Sequence, residues 1–267
     1  IGRPNVGKPT LVNSLVHEER VIVSNIAGTT RDSIDCDFKY DGKDYTIIDT
    51  AGIKRKSKIT DHIEKFALSR TQDAISRSNL ILLVLDGSED FNEQDEIIGG
   101  LAFDANIPTI IVVNKWDKIK NKTSKTVTEF TKLIRNKFHY ITWAPVIFIS
   151  AKDNLKVTAI FKTIEKIKQQ LKISVSTSIL NDVLAKAEIL NPPPKFKGNR
   201  FNISYATQVK SQIPTFVIFG NDPKYVHFSY ARYLENQIRN SFGFTDVPIT
   251  IYFKDKNSRI RGIKKDR

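Results

Sequence analysis

The pattern G-x-x-x-x-G-K, present here as Gly2-Arg3-Pro4-Asn5-Val6-Gly7-Lys8, restricts the fold of this chain more than any other stretch. In such a loop the glycines allow a tight turn around an anion, and successive backbone N–H groups point inward. The helix that follows adds the positive end of its dipole. Lys8 is expected to reach the outer phosphates as a point charge. The run therefore predicts a nucleotide-phosphate site that includes Gly2, Asn5, Val6, Gly7 and Lys8.

The residue after Lys8 departs from this pattern. A Ser or Thr at this position binds Mg²⁺ through its hydroxyl, whereas Pro9 has neither a hydroxyl nor a backbone N–H. Proline is compatible with the first turn of a helix, because that N–H makes no bond within the helix. Thr10 lies one residue further on and would need a register shift to replace the missing ligand. We therefore expect an intact phosphate loop with an impaired metal site.

Two more segments are typical of loops that sense the terminal phosphate. Ala27–Asp32 contains Thr30, whose hydroxyl can complete the Mg²⁺ shell and order its loop; the alternative is an ordinary polar turn. At the end of a predicted strand, Asp49 can hold Mg²⁺ through water and the Gly52 N–H can contact the γ-phosphate. Ile53 stands where related enzymes use a glutamine to orient the attacking water, and an aliphatic side chain cannot do so.

The base-recognition motifs follow the phosphate-sensing segments along the chain. A buried apolar run leads to Asn114-Lys115-Trp116-Asp117, which is N-K-x-D. The Asp117 carboxylate can accept hydrogen bonds from the guanine N1–H and 2-amino group, which adenine does not offer. Ser150-Ala151-Lys152 follows, and its backbone can reach the guanine O6. The order of these motifs predicts guanine as the base.

Alternation of strands and helices predicts an α/β domain with a mostly parallel sheet and helices on both faces. Residues 18–34 are polar and are expected to be irregular. Apolar periodicity predicts helices over 10–16, 94–105, 129–138 and 159–171, and strands over 34–40, 45–49, 80–85, 109–113 and 146–149.

A second, smaller module follows a short polar joint over residues 172–177, where Ser176 or Thr177 is expected to cap the next helix. The predicted elements are a helix over 179–190, strands over 201–209 and 215–219, a helix over 228–242 and a strand over 249–253. This is an α+β module of order α-β-β-α-β. For the aromatic side chains around its second helix, core packing is favoured over base stacking; they are Tyr225, Phe228, Tyr230 and Tyr233.

Composition excludes several classes of protein. No apolar run approaches the roughly 20 residues of a membrane span, and one cysteine, Cys36, excludes a disulfide framework and fits a reducing cytosol. The net charge is +13, of which residues 178–267 carry +8 from 15 basic and 7 acidic side chains. A basic module of this kind favours a polyanion partner such as RNA. The alternative explanation of the charge is that it serves only to keep the protein soluble.

The runs G-R-P-N-V-G-K, A-G-T-T-R-D-S-I-D and D-T-A-G-I-K-R-K resemble the TrmE–Era–EngA–YihA group of bacterial GTPases. Together with the C-terminal module, essentially the whole chain resembles the second GTPase domain and KH-like domain of the Der (EngA) family. No G-x-x-G occurs between residues 178 and 267, so the nucleotide clamp of ordinary KH domains is missing, which separates the chain from Era.

The resemblance implies a GTP-hydrolysing ribosome-assembly factor that binds GTP, GDP, Mg²⁺ and K⁺. Thr30 and Asp49 are the implied Mg²⁺ residues, and Asn5 is the implied K⁺ residue; Lys8, Asn5, Thr30 and Gly52 would carry catalysis. Loop contacts to the nucleotide would also include Pro9 and Thr10.

The resemblance also implies partners: the large ribosomal subunit, its rRNA and an upstream GTPase domain. A monomer in the cytoplasm of a bacterium, or in an organelle of bacterial origin, is expected, with no membrane partner. The expected boundaries are a GTPase domain over 1–171 that lacks its first strand, a linker over 172–177 and a KH-like domain over 178–267.

Three alternatives remain at this stage. Pro9 could leave a nucleotide-binding module that docks on the ribosome without hydrolysing GTP. An Era-like GTPase and the GTPase domain of a tRNA-modifying protein share the early motifs, but the C-terminal module argues against both.

Overall fold

A computed structural model describes residues 1–17, 21–23, 35–48 and 63–257. The chain divides into two compact units, Ile1–Lys166 and Ile167–Arg267. The division falls within one helix, and the domain boundaries expected from the sequence stay a prediction. Thr30, Asp49, Gly52 and Ile53 lie outside the described residues.

In its described residues, the first unit contains two three-stranded sheets. Its helices are α1 (Lys8–Val16), α2 (Ile63–Ser76), α3 (Glu93–Asp104), α4 (Thr126–Lys137) and the first part of α5 (Ala159–Leu171). Its strands are β1 (Val21–Val23), β2 (Cys36–Tyr40), β3 (Lys43–Ile47), β4 (Ile81–Asp86), β5 (Thr109–Asn114) and β6 (Val146–Phe148).

One sheet has the strand order β4-β5-β6, and its strands are parallel. The other has the order β1-β2-β3, and its neighbouring strands are antiparallel. Strand β5 is buried at every residue and β4 at all but one, as their continuous apolar runs require. The main core packs Leu83, Ile111 and Val113 against Ile134 and Phe138 of the α4 region. The parallel sheet predicted from the sequence is confirmed.

The backbone of Ile1 pairs with β4: its nitrogen donates to the Leu82 carbonyl and its carbonyl accepts from Val84 N, both at 2.9 Å. The phosphate loop therefore starts beside β4, at the sheet edge where β4 and β5 end. Carboxyl ends of parallel strands are where α/β sheets place their ligands.

Two features of this unit differ from the sequence prediction. Residues 21–23 form β1 inside a segment predicted to be irregular, because they pair antiparallel with β2. Helix α2 was not predicted. The hairpin between β2 and β3 turns at Asp41-Gly42, with positive φ angles of 51° and 74°.

The second unit has the predicted order α-β-β-α-β. After the end of α5 come α6 (Thr177–Leu190), β7 (Ile203–Val209), β8 (Thr215–Gly220), α7 (Phe228–Phe242) and β9 (Thr250–Asp255). The central strand β8 is buried along its length, antiparallel to β7 and parallel to β9. Ser176 is the N-cap residue of α6, one of the two positions predicted, although its side chain makes no capping hydrogen bond. Within the described ranges, no helix combines the length and apolarity needed to cross a bilayer.

Candidate guanine-nucleotide site

The phosphate loop has the geometry that its glycines require. Gly7 is the N-cap of α1 with φ 95°, and Asn5 also adopts a left-handed conformation with φ 65°. A Cβ atom on Gly7 would lie 2.3 Å from the Asn114 amide nitrogen, so this position excludes any side chain. Pro9 lies in the first turn of α1, where the missing N–H costs the helix nothing. The loop is thus built despite the proline.

Lys8 is turned back onto its own loop. Its Nζ donates to the carbonyl oxygens of Gly2 at 2.5 Å and Arg3 at 2.7 Å. Burial lowers the pKa of Lys8 from its ordinary 10.5 to about 8, and the charge of Asp95 offsets part of this effect. The charge that a phosphate would meet therefore depends on pH near 8.

Nucleotide affinity should fall as the pH rises from 8 to 9, by up to about tenfold, since phosphate binding favours protonated Lys8 and must then take up a proton. Well below pH 8, where Lys8 is already protonated, this group contributes almost no slope. The same depressed pKa leaves the folded chain with fewer bound protons than the unfolded chain between pH 8 and 10.5, so its free energy of unfolding should rise with pH there.

The affinity slope is measured by titrating GDP at pH 7, 8 and 9. Lys8→Arg is the matched control, since its guanidinium keeps its charge throughout and reports any pH dependence of the nucleotide itself. A wild-type slope equal to that of Lys8→Arg would contradict the assignment to Lys8.

Arg3, inside the phosphate loop, is held by two carboxylates that motif reading did not single out. Its guanidinium lies 2.8 Å from Glu89 and 3.2 Å from the fully buried Asp95 carboxylate. Asp95 also closes a capping box with Asn92 at the start of α3, while its Oδ1 has no hydrogen-bond partner among the described residues. Burial raises the pKa of Asp95, with the backbone hydrogen bond from Asn92 and the charge of Arg3 opposing it. These contacts fix the phosphate loop to the segment that follows β4.

Asn114, at the end of β5, joins the phosphate loop to the segment that starts at Ser150. Its Nδ2 donates to the Val6 carbonyl at 2.9 Å, and its Oδ1 accepts from the Ala151 N–H at 3.0 Å. The residue is 2% exposed, so both bonds are shielded from water. The Ala151 N–H is therefore already bonded to Asn114. The N–H of the next residue, Lys152, makes no hydrogen bond to the described part of the chain.

Asp117 presents a charged acceptor beside this junction. The Ser150 hydroxyl donates to its Oδ1 at 2.7 Å. That hydrogen bond is the main reason why the pKa of Asp117 is lowered, against a smaller opposing effect of desolvation. The carboxylate is ionised at neutral pH and can accept further N–H donors, as recognition of guanine requires.

Lys115 is held by the carboxylate of Asp86, which belongs to none of the nucleotide-binding motifs in the sequence. It adopts a left-handed conformation with φ 60°, and its Nζ donates to Asp86 at 2.5 Å. Burial alone would raise the pKa of Asp86, but hydrogen bonds from Lys115 and Ser88 outweigh it, and the pKa is lowered. Asp86 ends β4 directly after the apolar run, which is the signal that could have identified it.

The described residues bring the loop of residues 2–8 and the two base motifs together through Asn114. They provide no Mg²⁺ ligand at the position after Lys8, because Pro9 has no donor atom in its side chain. Among them, no cluster of three or more His, Cys, Asp or Glu side chains could hold a metal ion. The residues predicted to bind Mg²⁺, Thr30 and Asp49, lie outside the described residues. Asn5 and Thr10 are exposed, and the amide oxygen of Asn5 is of the type that binds K⁺.

Two family models match the chain. Residues 1–115 match the family described as 50S ribosome-binding GTPase, and residues 174–254 match the KH-domain-like C-terminal domain of EngA bacterial GTPase enzymes.

Curated relatives match over the whole chain. GTPase Der of Mycoplasmoides gallisepticum is 61% identical over 266 residues, which are 100% of this chain and 58% of the relative. GTPase Der of Ureaplasma urealyticum is 61% identical over 262 residues, covering 98% of this chain and 59% of the relative. The chain thus spans less than two thirds of the length of these proteins.

Among solved structures, Era in complex with MgGDPNP and a segment of 16S ribosomal RNA is 20% identical with a TM-score of 0.48. The match covers 95% of this chain and 91% of that one.

Proposed function

The chain belongs to the Der (EngA) family of bacterial GTPases, and from this premise we propose that it binds GTP and GDP and hydrolyses GTP during ribosome assembly. The observation that carries the proposal is the junction at Asn114. One buried side chain bonds both the phosphate loop at Val6 and the base-binding segment at Ala151. A nucleotide that spans both sites would be held at its phosphates and at its base by elements already fixed to each other.

In the proposed reaction, water attacks the γ-phosphate in line with the leaving diphosphate, and catalysis depends on positioning and charge stabilisation. Lys8 would leave the carbonyls of Gly2 and Arg3 and neutralise the outer phosphates. Gly52 would donate its N–H to the γ-phosphate, and Thr30 would order its loop around it. The Asn5 amide would hold K⁺, which supplies positive charge beside the β- and γ-phosphates.

A second candidate function is nucleotide binding without hydrolysis. Pro9 favours it, because the described residues lack the hydroxyl that binds Mg²⁺ in this loop. The chain would then act on the ribosome through shape and charge. Both functions require the same base site and differ only in turnover.

The proposed partner is the large ribosomal subunit and its rRNA. The name of the matching family model and the net charge of +8 over residues 178–267 support this partner. The proposed organisation is a GTPase domain over 1–171, a linker over 172–177 and a KH-like domain over 178–267, preceded in the full-length protein by another GTPase domain. A cytoplasmic monomer is part of the same proposal.

The test is a titration of the chain with fluorescent GTP and GDP, followed by a turnover assay with and without K⁺ and Mg²⁺. Saturable binding that ATP does not displace, together with phosphate release, is expected for a GTPase. Binding without phosphate release would favour the second function. Displacement by ATP and GTP alike would contradict guanine recognition.

A further inference from the structure

The KH-like unit exposes an aromatic and basic surface that we call the Phe228 surface, formed by Phe196, Lys197, Arg200, His227 and Phe228. Its three rings form a row in which each ring contacts the next. The centroids of Phe196 and His227 are 5.0 Å apart, and those of His227 and Phe228 are 4.4 Å apart. The last ring of the series, Phe228, is 68% exposed. A single exposed apolar side chain is common on protein surfaces, so the rings and charges around Phe228 decide whether it marks a site.

Phe228 does not share the packing of the neighbouring aromatic residues. Helix α7 buries Tyr230, Leu234 and Ile238 against the unit, and Tyr233 donates its hydroxyl to the Ala187 carbonyl. Core packing, which the sequence favoured for this group, is therefore correct for Tyr230 and wrong for Phe228. As the first residue of α7, Phe228 lies beyond the buried stripe of the helix.

A rigid turn places cations beside these rings. Phe196 and Asn199 exchange backbone hydrogen bonds at 2.8 and 3.2 Å around Lys197 and Gly198, whose φ angles are 48° and 92°. Asn221 ties this turn to the segment before α7 by donating to the Arg200 carbonyl at 2.8 Å. Backbone hydrogen bonds within the turn and the Asn221 side-chain amide thus hold the turn next to the segment that carries His227 and Phe228.

The charge of the surface has one sign. Lys195, Lys197 and Arg200 are exposed, and none forms an ion pair with a described residue. Lys197 lies over the Phe196 ring at 5.5 Å. Residues 191–200 contain no acidic side chain, and Asp222 nearby is already paired with Lys224 at 2.7 Å. An exposed ring next to half-buried rings, flanked by cations that lack counter-charges, is a feature of sites that stack bases and bind phosphates.

We propose that the Phe228 surface binds an unpaired segment of RNA, with one base stacked on Phe228 and the adjoining phosphates on Lys197 and Arg200. This rests on the RNA partner proposed above and names the site that takes it. The rings favour bases over an acidic peptide, because every base offers a face to stack and an acidic side chain does not. Unpaired RNA is favoured over a duplex, whose bases are already stacked on one another.

The test measures binding of fluorescein-labelled oligo(U) and oligo(A) 12-mers by the full 267-residue chain, beside a 12-mer that has the same phosphodiester backbone without bases. Phe228→Ala should weaken binding of the base-bearing 12-mers about tenfold and leave the abasic 12-mer unchanged. Phe228→Trp should retain or increase the affinity. Lys197→Ala should weaken all three probes and reduce the salt dependence by about one phosphate contact.

Ile189→Ala is the matched control, since Ile189 is 79% exposed on the same unit but lies outside the surface. Thermal unfolding of each variant checks the fold. RNA binding that Phe228→Ala leaves unaltered would overturn the site while the RNA partner stands. Failure of the wild-type chain to bind any 12-mer would overturn both. A change in sedimentation of Phe228→Ala with unaltered RNA affinity would identify an interface between copies of the chain and also overturn the site.

Discussion

Replacing Asp117 with asparagine is expected to exchange guanine for xanthine as the preferred base. The Asp117 carboxylate accepts a hydrogen bond from the Ser150 hydroxyl and is the proposed acceptor for the N1–H and 2-amino group of guanine. Asparagine keeps one oxygen acceptor but turns the other position into an N–H donor, which faces the guanine amino group and matches the 2-carbonyl of xanthine. Two charge-assisted hydrogen bonds at about 1.5–3 kcal/mol each correspond to a loss of roughly 10²–10⁴ in GDP affinity.

The measurement is the dissociation constant of the Asp117→Asn chain for GDP and for xanthosine diphosphate. Asp153→Asn is the matched control, because Asp153 also contacts the Ser150 hydroxyl, at 3.1 Å, but lies outside the N-K-x-D motif. It should leave the base preference unchanged. Equal GDP affinity in the Asp117→Asn and wild-type chains would show that the base is not read by this carboxylate.

The local motifs made the phosphate loop and the candidate base site predictable from the sequence. Strands β4 and β5 are continuous apolar runs because both faces of the parallel sheet are buried, and each delivers its polar residue at the carboxyl end. The positions of Lys8, Asn114 and Asp117 follow from that arrangement. The α-β-β-α-β order of the second unit was predictable for the same reason, since its periodicities are strong.

Contacts between distant parts of the chain could not be predicted. Arg3 meets Asp95, and Lys115 meets Asp86, only after the sheet has folded, and one sequence carries no sign of either pair. Strand β1 has three residues, too few for alternation to be distinguished from a polar loop. Phe228 shares the helical spacing of its neighbours, and periodicity does not reveal that a residue at a helix start misses the core.

Replacing Pro9 with serine is expected to raise GTP affinity in the presence of Mg²⁺ by about tenfold or more, and turnover by at least as much. The serine would add the hydroxyl that binds the metal and a backbone N–H at the phosphate loop. Neither change should disturb α1, because Pro9 lies in the first turn and makes no bond there that serine loses. The gain should vanish when Mg²⁺ is removed, since the hydroxyl acts through the metal.

Pro4→Ser is the matched control: Pro4 is an exposed residue of the same loop and is not the metal-ligand position. Tight, Mg²⁺-dependent GTP binding by the Pro9 chain, with no gain from Pro9→Ser, would mean that the metal is held wholly by residues other than the one after Lys8. If the Pro9 chain also releases phosphate at a rate that Pro9→Ser does not raise, the chain would be an active GTPase whose loop tolerates the proline, and binding without hydrolysis would be excluded as its function.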